Sequence, residues 1–146
     1  MKLVIQRVKE TSLAVNNELI SEIKRGLAIY VGVEKGDNES SADYLAKKAV
    51  NMRIFEDDNG KMNLSVLDKG YEILAISQFT LLADCAHGNR PGFADAESPT
   101  RAEELYKYFG KQCEKLGVPV KYGVFGADMQ ISQLNDGPVT IIIEKK

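Results

Sequence analysis

Apolar residues along this chain fall into short runs and alternations bounded by turn residues, a pattern typical of β-strands. Residues 2–8 alternate, with Leu3 and Ile5 on one face and Val4 and Val8 on the other. The expected strands are Lys2–Val8, Ser12–Val15, Glu18–Ile23, Gly26–Val33, Ile73–Ile76, Val118–Val124, Met129–Leu134 and Val139–Ile143. The chain is therefore expected to be rich in sheet.

Turn chemistry marks several connections. Asn16-Asn17 tolerates positive φ and predicts a hairpin between its flanking strands. Gly32, inside a strand, predicts a bulge or the close approach of another backbone. Glu56–Gly60 is acidic, but it lacks the spacing and the terminal glutamate of a calcium loop, so a solvated turn is expected there.

Two segments have helical periodicity. Ser40–Arg53 is expected to be a helix capped by Ser40, and a second helix is expected to open at Ser98-Pro99 and to end at Gly117. The apolar stripe of the first helix is Leu45, Ala49 and Met52. Together these elements predict a single α+β domain over residues 1–146, with a strongly curved, barrel-like, mostly antiparallel sheet and two main helices. The β-rich stretches also favour a dimer through a sheet edge or face.

Length and composition bound the class of protein. With 146 residues, 44% of them apolar, the chain is long enough for one hydrophobic core. No apolar run approaches the roughly 18 residues of a membrane span, and the N-terminal apolar segment is too short for a signal peptide, so a cytoplasmic location is expected. Cys85 and Cys113 lack metal-ligand spacing and are expected to be reduced thiols.

The net charge of −2 restricts how nucleic acid could bind. A broad basic surface binds phosphates through counterion release by Lys and Arg, and this composition argues against such a surface. Contact with nucleic acid is therefore expected to involve only a small part of it, such as a single-stranded end.

The most informative segment follows the apolar run Ile73–Ile76, a strand in which neither face is expected to meet water. Ser77, Gln78 and Thr80 come next, around Phe79. Leaving their polar groups buried and unpaired would cost about 1–3 kcal/mol each. Either neighbouring backbone satisfies them, or they line a pocket in which a ligand does.

Residues 83–93 form a long, polar, glycine-rich connection, and such loops are often functional. His87 is the only histidine, and beside Gly88 it is expected to be solvent-exposed rather than catalytic. Arg90 is the better candidate for contacting a phosphate, although a plain surface role fits it equally well.

A second polar motif, Asn135–Thr140, precedes the last expected strand. Asn135-Asp136-Gly137 is turn chemistry. Pro138 at a strand start removes one donor and leaves backbone carbonyls as the dominant polar feature. Taken alone, this motif is most simply a turn with a trans proline, since only about 5–6% of X–Pro bonds are cis.

Together the two motifs resemble the signature sequences of D-aminoacyl-tRNA deacylases. The matching motifs are Ser77–Thr80 and Asn135–Thr140. The resemblance continues along the chain through Gln6-Arg7-Val8, Arg53-Ile54-Phe55, Gly60–Leu64 and Phe125–Gln130. Two separated motifs at the family spacing are a specific signal.

The resemblance implies a cytoplasmic homodimer whose active site lies at the subunit interface. It implies a cis bond between Gly137 and Pro138 that reaches into the partner's pocket, presents carbonyl oxygens to the α-amino group of the substrate and excludes L-side chains. The opposite, catalytic wall would be formed by Ser77, Gln78, Phe79 and Thr80. Met129 would border the pocket, and Phe79 would help to fix the terminal adenosine. No ligand cluster calls for a metal, and no cofactor is expected.

The implied reaction is hydrolysis of the ester between a D-amino acid and the tRNA 3′ end, which neighbouring hydroxyl and ammonium groups already activate. No Ser-His-Asp arrangement appears in motif context. In one mechanism Thr80 attacks the carbonyl, although no activating base is evident nearby. In the other, which is favoured, the adenosine 2′-hydroxyl positions or activates a water. The oxyanion is then stabilised by backbone N–H groups near Phe79 and Thr80, or by Gln78.

A pocket that works by excluding L-side chains has no means of rejecting glycine, so glycyl-tRNA, including glycine mischarged on alanine tRNA, is an expected substrate. Two other functions stay open. One is a Thr80-dependent acyl hydrolase acting on a small ester or amide. The other is a non-catalytic nucleic-acid-binding or scaffolding dimer, which would need an extended basic patch.

Overall fold

The computed structural model describes residues 1–145 and contains eight strands, three α-helices and one 3₁₀ turn. The strands are β1 (Lys2–Val15), β2 (Glu18–Ile23), β3 (Gly26–Gly32), β4 (Phe55–Glu56), β5 (Met62–Leu64), β6 (Glu72–Ser77), β7 (Val120–Tyr122) and β8 (Gln130–Glu144). The helices are α1 (Glu39–Asn51), α2 (Val66–Lys69) and α3 (Pro99–Lys115), and the 3₁₀ turn is Phe79–Leu82.

Six strands form one strongly curved sheet in the order β2-β1-β3-β6-β7, and β8 pairs with the other edge of β1. Strand β6 runs parallel to β3 and β7, and the other pairs of this sheet are antiparallel. The ends of the sheet meet where Ser21 Oγ donates to Tyr122 O and Lys121 Nζ donates to Glu22 O, both at 2.7 Å. The expected α+β fold with a barrel-like sheet is confirmed.

Strand β6 lies at the centre of the core and is buried on both faces, as its apolar sequence predicts. Ile73 and Ala75 belong to the larger apolar cluster, which the sheet forms with α1 and α3. Leu74 and Ile76 belong to a second cluster formed by strands alone. All four side chains are fully buried, so the end of β6 is a rigid platform for whatever follows it.

Two expected strand breaks are absent. Strand β1 includes both expected strands, Lys2–Val8 and Ser12–Val15. Strand β8 includes the expected strand Val139–Ile143 and also the expected strand Met129–Leu134, apart from its first residue. The exposed charges of Lys9 and Glu10 interrupt the apolar pattern, but backbone pairing does not depend on it. Instead of a strand break, the pairing of β1 with β8 has two register shifts, one between Gln6 and Val8 and one between Val8 and Glu10.

The helix starts also differ in detail. The cap of α1 is Asn38, whose Oδ1 accepts a hydrogen bond from Ser41 N at 3.2 Å, so the expected cap Ser40 is wrong. Ser98 occupies the cap position of α3, but its side chain makes no capping hydrogen bond. Pro99 opens α3 as expected.

The hairpin turn at Asn16 and Asn17 is confirmed, with φ of 50° and 64°. The short helix α2 was not predicted, although Ser65 and Asp68 form a capping box at its start, a recognisable sequence signal. Within residues 1–145 no helix combines the length and apolarity needed to cross a membrane.

Candidate active site

The candidate site begins where β6 ends. Gln78 N donates to Val31 O at 2.8 Å, and the chain then enters the 3₁₀ turn. The turn packs closely on β3 because Gly32 has no side chain: a Cβ there would lie 3.1 Å from Leu81 Cβ and 3.2 Å from Gln78 O. The close approach predicted at Gly32 is therefore confirmed, and it holds the turn against the sheet.

The first two amides of the 3₁₀ turn are unpaired. A turn that begins at Phe79 leaves the N–H groups of Phe79 and Thr80 without acceptors of its own. No other acceptor in residues 1–145 hydrogen-bonds to them, whereas the next amide, Leu81 N, donates to Gln78 O at 3.3 Å. Two adjacent donors are thus left for solvent or a ligand.

Phe79 is 57% exposed, although its neighbours in β6 are buried. Its ring packs against the edge of Phe93, with ring centroids 5.0 Å apart and an interplanar angle of 67°. Phe93 follows a loop whose base is closed by two backbone hydrogen bonds between Asp84 and Gly92, of 2.8 and 2.9 Å. The exposed face of Phe79 is thus a supported surface on which a base can stack.

The Thr80 hydroxyl accepts a hydrogen bond from Gln78 Nε2. A side-chain amide is not a base, and within residues 1–145 no imidazole or carboxylate hydrogen-bonds to this hydroxyl. His87 is exposed in the neighbouring loop, as expected, and Arg90 is exposed as well. None of the described residues is therefore placed as a base hydrogen-bonded to the Thr80 hydroxyl.

Ser77, Gln78 and Phe79 line a cavity of 510 Å³, and Met129 borders it. Thr80 does not line it. The other walls are mostly apolar and come from the end of β3, the start of α3 and the segment before β8; they are Val33, Ala96, Glu97, Pro99, Ala102, Phe125, Gly126, Ala127, Asp128 and Ile131. A mostly apolar cleft of this size with a few polar groups is typical of a small-molecule site.

The contribution of the start of α3 was not predicted. Glu97, Pro99 and Ala102 all line the cavity. The Ser98-Pro99 pair signals a helix start in the sequence, but no local signal indicates that this start faces β6. Glu97 accepts a hydrogen bond from Ser98 N at 2.6 Å, which lowers the pKa of its carboxyl below the ordinary value. The cavity therefore has a carboxylate at its rim.

The Gly137–Pro138 corner lies within β8 and does not line this cavity. Its peptide bond is cis. Gly137 has a φ of +142°, and a Cβ there would lie 2.6 Å from Val139 N, so the position requires glycine. Both corner residues are exposed. Within one chain, the two motifs are not brought together.

Arg7 holds the residue that precedes the corner. This side chain is almost fully buried; its Nε donates to Asp136 O at 3.0 Å and lies 3.6 Å from Asp136 Oδ2. Its Nη1 donates to Ile54 O at 2.6 Å. Arg7 thereby ties the approach to the corner to β1 and to the segment after α1.

The acidic segment Glu56–Gly60 is a turn stabilised by its own carboxylate. Asp57 Oδ1 accepts hydrogen bonds from Asn59 N at 2.9 Å and Lys61 N at 3.0 Å. Among the residues that the structure describes, no group of three or more His, Cys, Asp or Glu side chains is arranged to hold a metal.

The barrel-like α+β sheet has a mostly apolar cleft at the end of a buried strand, with amide and hydroxyl groups beside it. These features are typical of a protein that binds a small molecule. The family model described as D-Tyr-tRNA(Tyr) deacylase matches residues 4–144. The chain belongs to the D-Tyr-tRNA(Tyr) deacylase family, a family of hydrolases, and the resemblance drawn from the two motifs is confirmed.

Curated relatives match from end to end. The D-aminoacyl-tRNA deacylase of Geotalea daltonii is 51% identical over 144 residues, which cover 99% of this chain and 96% of the relative. The D-aminoacyl-tRNA deacylase of Bacillus mycoides is 50% identical over 146 residues, which cover 100% of both chains.

Two solved structures have the same fold. One, named c-Myc DNA Unwinding Element Binding Protein, superposes with a TM-score of 0.95 at 43% identity and covers 100% of this chain and 99% of its own. The other, described as a probable eukaryotic D-amino acid tRNA deacylase, has a TM-score of 0.82 at 16% identity and covers 99% and 98%. At that identity the second structure supports the fold alone.

Proposed function

We propose that this protein hydrolyses the ester joining a D-amino acid to the 3′ end of tRNA and leaves L-aminoacyl-tRNA intact. The observation that carries this proposal is the cavity lined by Ser77, Gln78 and Phe79 in a chain that matches the deacylase family over residues 4–144. The relatives from Geotalea daltonii and Bacillus mycoides are both named D-aminoacyl-tRNA deacylase. The proposed location is the cytoplasm, where tRNA is charged and used.

The proposed active unit is a homodimer. In one chain the Gly137–Pro138 corner is exposed and lies outside the cavity. Within the described residues β8 pairs only with β1, and its Leu134 and Ile142 are 53% and 65% exposed. Covering this strand with a second copy would bury apolar surface and give each corner a neighbouring cavity to enter.

The corner is the proposed sensor of chirality. Carbonyl oxygens at Gly137 and Pro138 would accept hydrogen bonds from the substrate's α-ammonium and leave no space for an L-side chain. Because exclusion of a side chain cannot act on glycine, glycyl-tRNA, including glycine mischarged on alanine tRNA, is a proposed substrate. A D-side chain that points outward makes little contact, so its size should matter little.

The wall formed by Ser77–Thr80, opposite the Gly137–Pro138 corner, would bind the terminal nucleoside. The half-exposed ring of Phe79, supported by Phe93, suits stacking of adenine, which is worth about 1–3 kcal/mol for a base on an aromatic side chain. Met129 would close the border of the cavity. The substrate ester would then lie beside the unpaired amides of Phe79 and Thr80.

The proposed mechanism uses the substrate's own 2′-hydroxyl to position or activate a water. The carbonyl oxygen becomes negatively charged as water adds, and the free N–H groups of Phe79 and Thr80 are donors suited to stabilise it, with Gln78 as the alternative. One such donor is worth about 2.7–4 kcal/mol. A Thr80 nucleophile is the less favoured route because, within residues 1–145, the hydrogen bond to its hydroxyl comes from a side-chain amide and not from a base.

The direct test is incubation of the pure protein with matched D- and L-tyrosyl-tRNA, D-alanyl-tRNA and glycyl-tRNA, with release of amino acid followed over time. We expect hydrolysis of both D-esters at similar rates, hydrolysis of glycyl-tRNA and survival of the L-ester. Survival of the D-esters, or equal loss of the D- and L-esters, would overturn the proposal.

A second candidate is favoured by one observation: the structure with 43% identity is named as a protein that binds a DNA unwinding element. In that case the chain would bind DNA without hydrolysis. The net charge of −2 offers little counterion release for duplex binding. Tighter binding of duplex DNA than of deacylated tRNA at equal salt, with no loss of the D-ester, would favour this candidate.

A further inference from the structure

A second cavity, of 390 Å³, lies beside the Gly137–Pro138 corner and is lined mainly by charged side chains, including Lys9, Arg25 and Lys69. We propose that this cavity binds a backbone phosphate of the RNA strand whose aminoacylated end the corner contacts. The inference rests on the proposed function and adds a binding subsite to it.

The three cations are not neutralised by the protein. Within residues 1–145, no carboxylate lies within 4.0 Å of the charged groups of Lys9, Arg25 or Lys69. Lys69 is held over the ring of Tyr71, 5.8 Å from its centroid, which orients its ammonium without cancelling the charge. A neighbouring lysine, Lys24, instead approaches Glu10 at 3.9 Å and lies outside this cavity.

The carboxylates of the cavity are mostly engaged elsewhere. Asp57 accepts hydrogen bonds from its own turn, chiefly from the Lys61 amide, and these hold its pKa below the ordinary value. Asp136 is paired with Arg7 at 3.6 Å. Glu56 alone, of the three lining carboxylates, makes no ion pair or hydrogen bond within the described residues. Hydrogen bonds from neutral amides leave Asp57 charged, so the three cations Lys9, Arg25 and Lys69 share the cavity with two carboxylates, Glu56 and Asp57, and positive charge is in excess by one.

Arg7 also lines the cavity, and its positive charge is balanced by Asp136. It is 7% exposed, and two of its three nitrogens donate to the carbonyls of Asp136 and Ile54. Its third nitrogen, Nη2, has no hydrogen-bond partner among residues 1–145. A nearly buried guanidinium with one free donor, beside three unpaired cations, is suited to an oxyanion with several acceptor atoms.

The position of the cavity selects an RNA phosphate. Asp136 lines the cavity, and Pro138 is two residues further on, so their Cα atoms are at most about 7 Å apart. If the corner contacts the aminoacyl group, the phosphates next to the terminal nucleotides fall within reach of Lys9 and Arg25. The small number of cations also agrees with the net charge of −2, which favours local contact with a strand end.

The test compares two variants with equal loss of charge. The cavity variant is Lys9→Gln/Arg25→Gln/Lys69→Gln, and the control is Lys24→Gln/Lys47→Gln/Lys111→Gln. All six side chains are exposed, and each set removes three positive charges, so long-range attraction is matched. The substrates are D-tyrosyl-tRNA and D-tyrosyl-adenosine, which has no phosphate.

For the cavity variant we expect KM for D-tyrosyl-tRNA to rise about tenfold, with kcat changed by less than about twofold. Hydrolysis of D-tyrosyl-adenosine should be unchanged. The salt dependence of log(kcat/KM) for the tRNA should weaken by about 0.7 for each phosphate that the variant no longer neutralises. The control variant should match the parent on D-tyrosyl-adenosine and should show a much smaller rise of KM for D-tyrosyl-tRNA, which measures the loss of long-range attraction alone. A cavity variant that behaves like the control on D-tyrosyl-tRNA would overturn the inference.

Binding of deacylated tRNA, followed by fluorescence anisotropy, separates this inference from the proposed function. If the parent cleaves neither ester, the proposed function fails, while an affinity reduced only in the cavity variant still supports the subsite. Inorganic phosphate is the probe for a free anion. If it binds the parent with Kd below about 1 mM and the cavity variant keeps full RNA affinity, the cavity belongs to a free anion and the inference fails.

Discussion

Strands β1 and β8 pair along nearly their whole length, yet they differ sharply in burial. In β1, Leu3, Ile5 and Leu13 are fully buried, whereas β8 contains no buried residue. Strand β1 has strands on both edges and core beneath it, while β8 has one neighbouring strand among the described residues. A single chain therefore completes some regions of this fold and leaves others open.

The same difference separates the two signature motifs. Ser77–Thr80 begins at the last residue of β6, a strand that is buried on both faces, and is held against β3 at Gly32. The Gly137–Pro138 corner lies on the open strand and is exposed. A site assembled from one motif of each kind depends on how two chains meet. Under the proposed dimer, folding of a single chain would not be sufficient for activity.

If each site combines the Ser77–Thr80 motif of one chain with the Gly137–Pro138 corner of the other, two inactive variants should restore each other's activity. This is the largest effect that we expect. Gln78→Ala/Phe79→Ala removes the wall, and Gly137→Ala places a Cβ where φ is +142° and Val139 N would be 2.6 Å away. We expect each variant alone to lose about 100-fold or more in kcat/KM. Mixed after joint refolding, they should recover about a quarter of the parent activity, because half of the dimers carry one intact site.

The control is a mixture of each variant with itself, which should stay inactive. Deacylation of D-tyrosyl-tRNA measures the outcome. If both motifs of a site came from the same chain, every site in the mixture would carry a defect and no activity would return. That result would contradict a shared site.

A second difference is expected in stability. Leu74→Ala, at a fully buried position of β6, should lower the free energy of unfolding by about 2–5 kcal/mol. Ile142→Ala, at a position 65% exposed in β8, should change it by less than about 0.5 kcal/mol when measured at concentrations too low for association. Urea unfolding followed by circular dichroism gives both values. Equal losses would mean that β8 is not an open strand.

The regions that a single chain buries, such as β6, were more predictable from the sequence than the exposed strand β8. Ile73–Ile76 is apolar throughout and is buried on both faces, and Asn16-Asn17 forms the expected turn. Such features depend on local pattern and turn chemistry. The start of α3 could not be assigned to the cavity, because bringing Ala102 and Ser77 to the same cavity depends on long-range packing, for which the sequence has no local signal.

The open regions were predictable only in part. Val139–Ile143 was expected as a separate strand, because Asn135–Pro138 has turn composition; instead β8 continues through the corner. Pairing with β1 holds the strand on both sides of the corner, with Asn135 opposite Val8 and Thr140 opposite Gln6, and the register shifts between these two pairs. The place of Pro138 in a site was implied by family resemblance, since exposure on a strand carries no functional signal of its own.

A smaller effect is expected for Thr80, which lies at the edge of the Ser77–Thr80 segment and outside the cavity. Thr80→Ala should lower kcat for D-tyrosyl-tRNA by less than about tenfold, because the backbone N–H groups and the substrate hydroxyl are retained. Thr80→Ser is the matched control. Loss of nearly all activity in the alanine variant, with full activity in the serine variant, would instead indicate a Thr80 nucleophile.

The smallest effect that we expect is a difference in reactivity between the two thiols, of which Cys113 is buried and Cys85 is exposed. Cys113 is buried in α3, and burial raises the pKa of its thiol from 9.0 to about 12, whereas Cys85 is exposed in the loop after the 3₁₀ turn. At pH 8 a thiol-specific reagent should modify Cys85 in the folded protein and Cys113 only after unfolding.

The raised pKa also sets the sign of a pH dependence. Above pH 9 the unfolded chain loses the Cys113 proton, while the folded chain keeps it until about pH 12. The unfolded state then binds fewer protons, so this contribution to stability is present below pH 9 and is lost between pH 9 and 12. Urea unfolding across that range should show a shallower decline for Cys113→Ala than for Cys85→Ala. Equal slopes would mean that Cys113 titrates normally and that the α3 side of the core admits water.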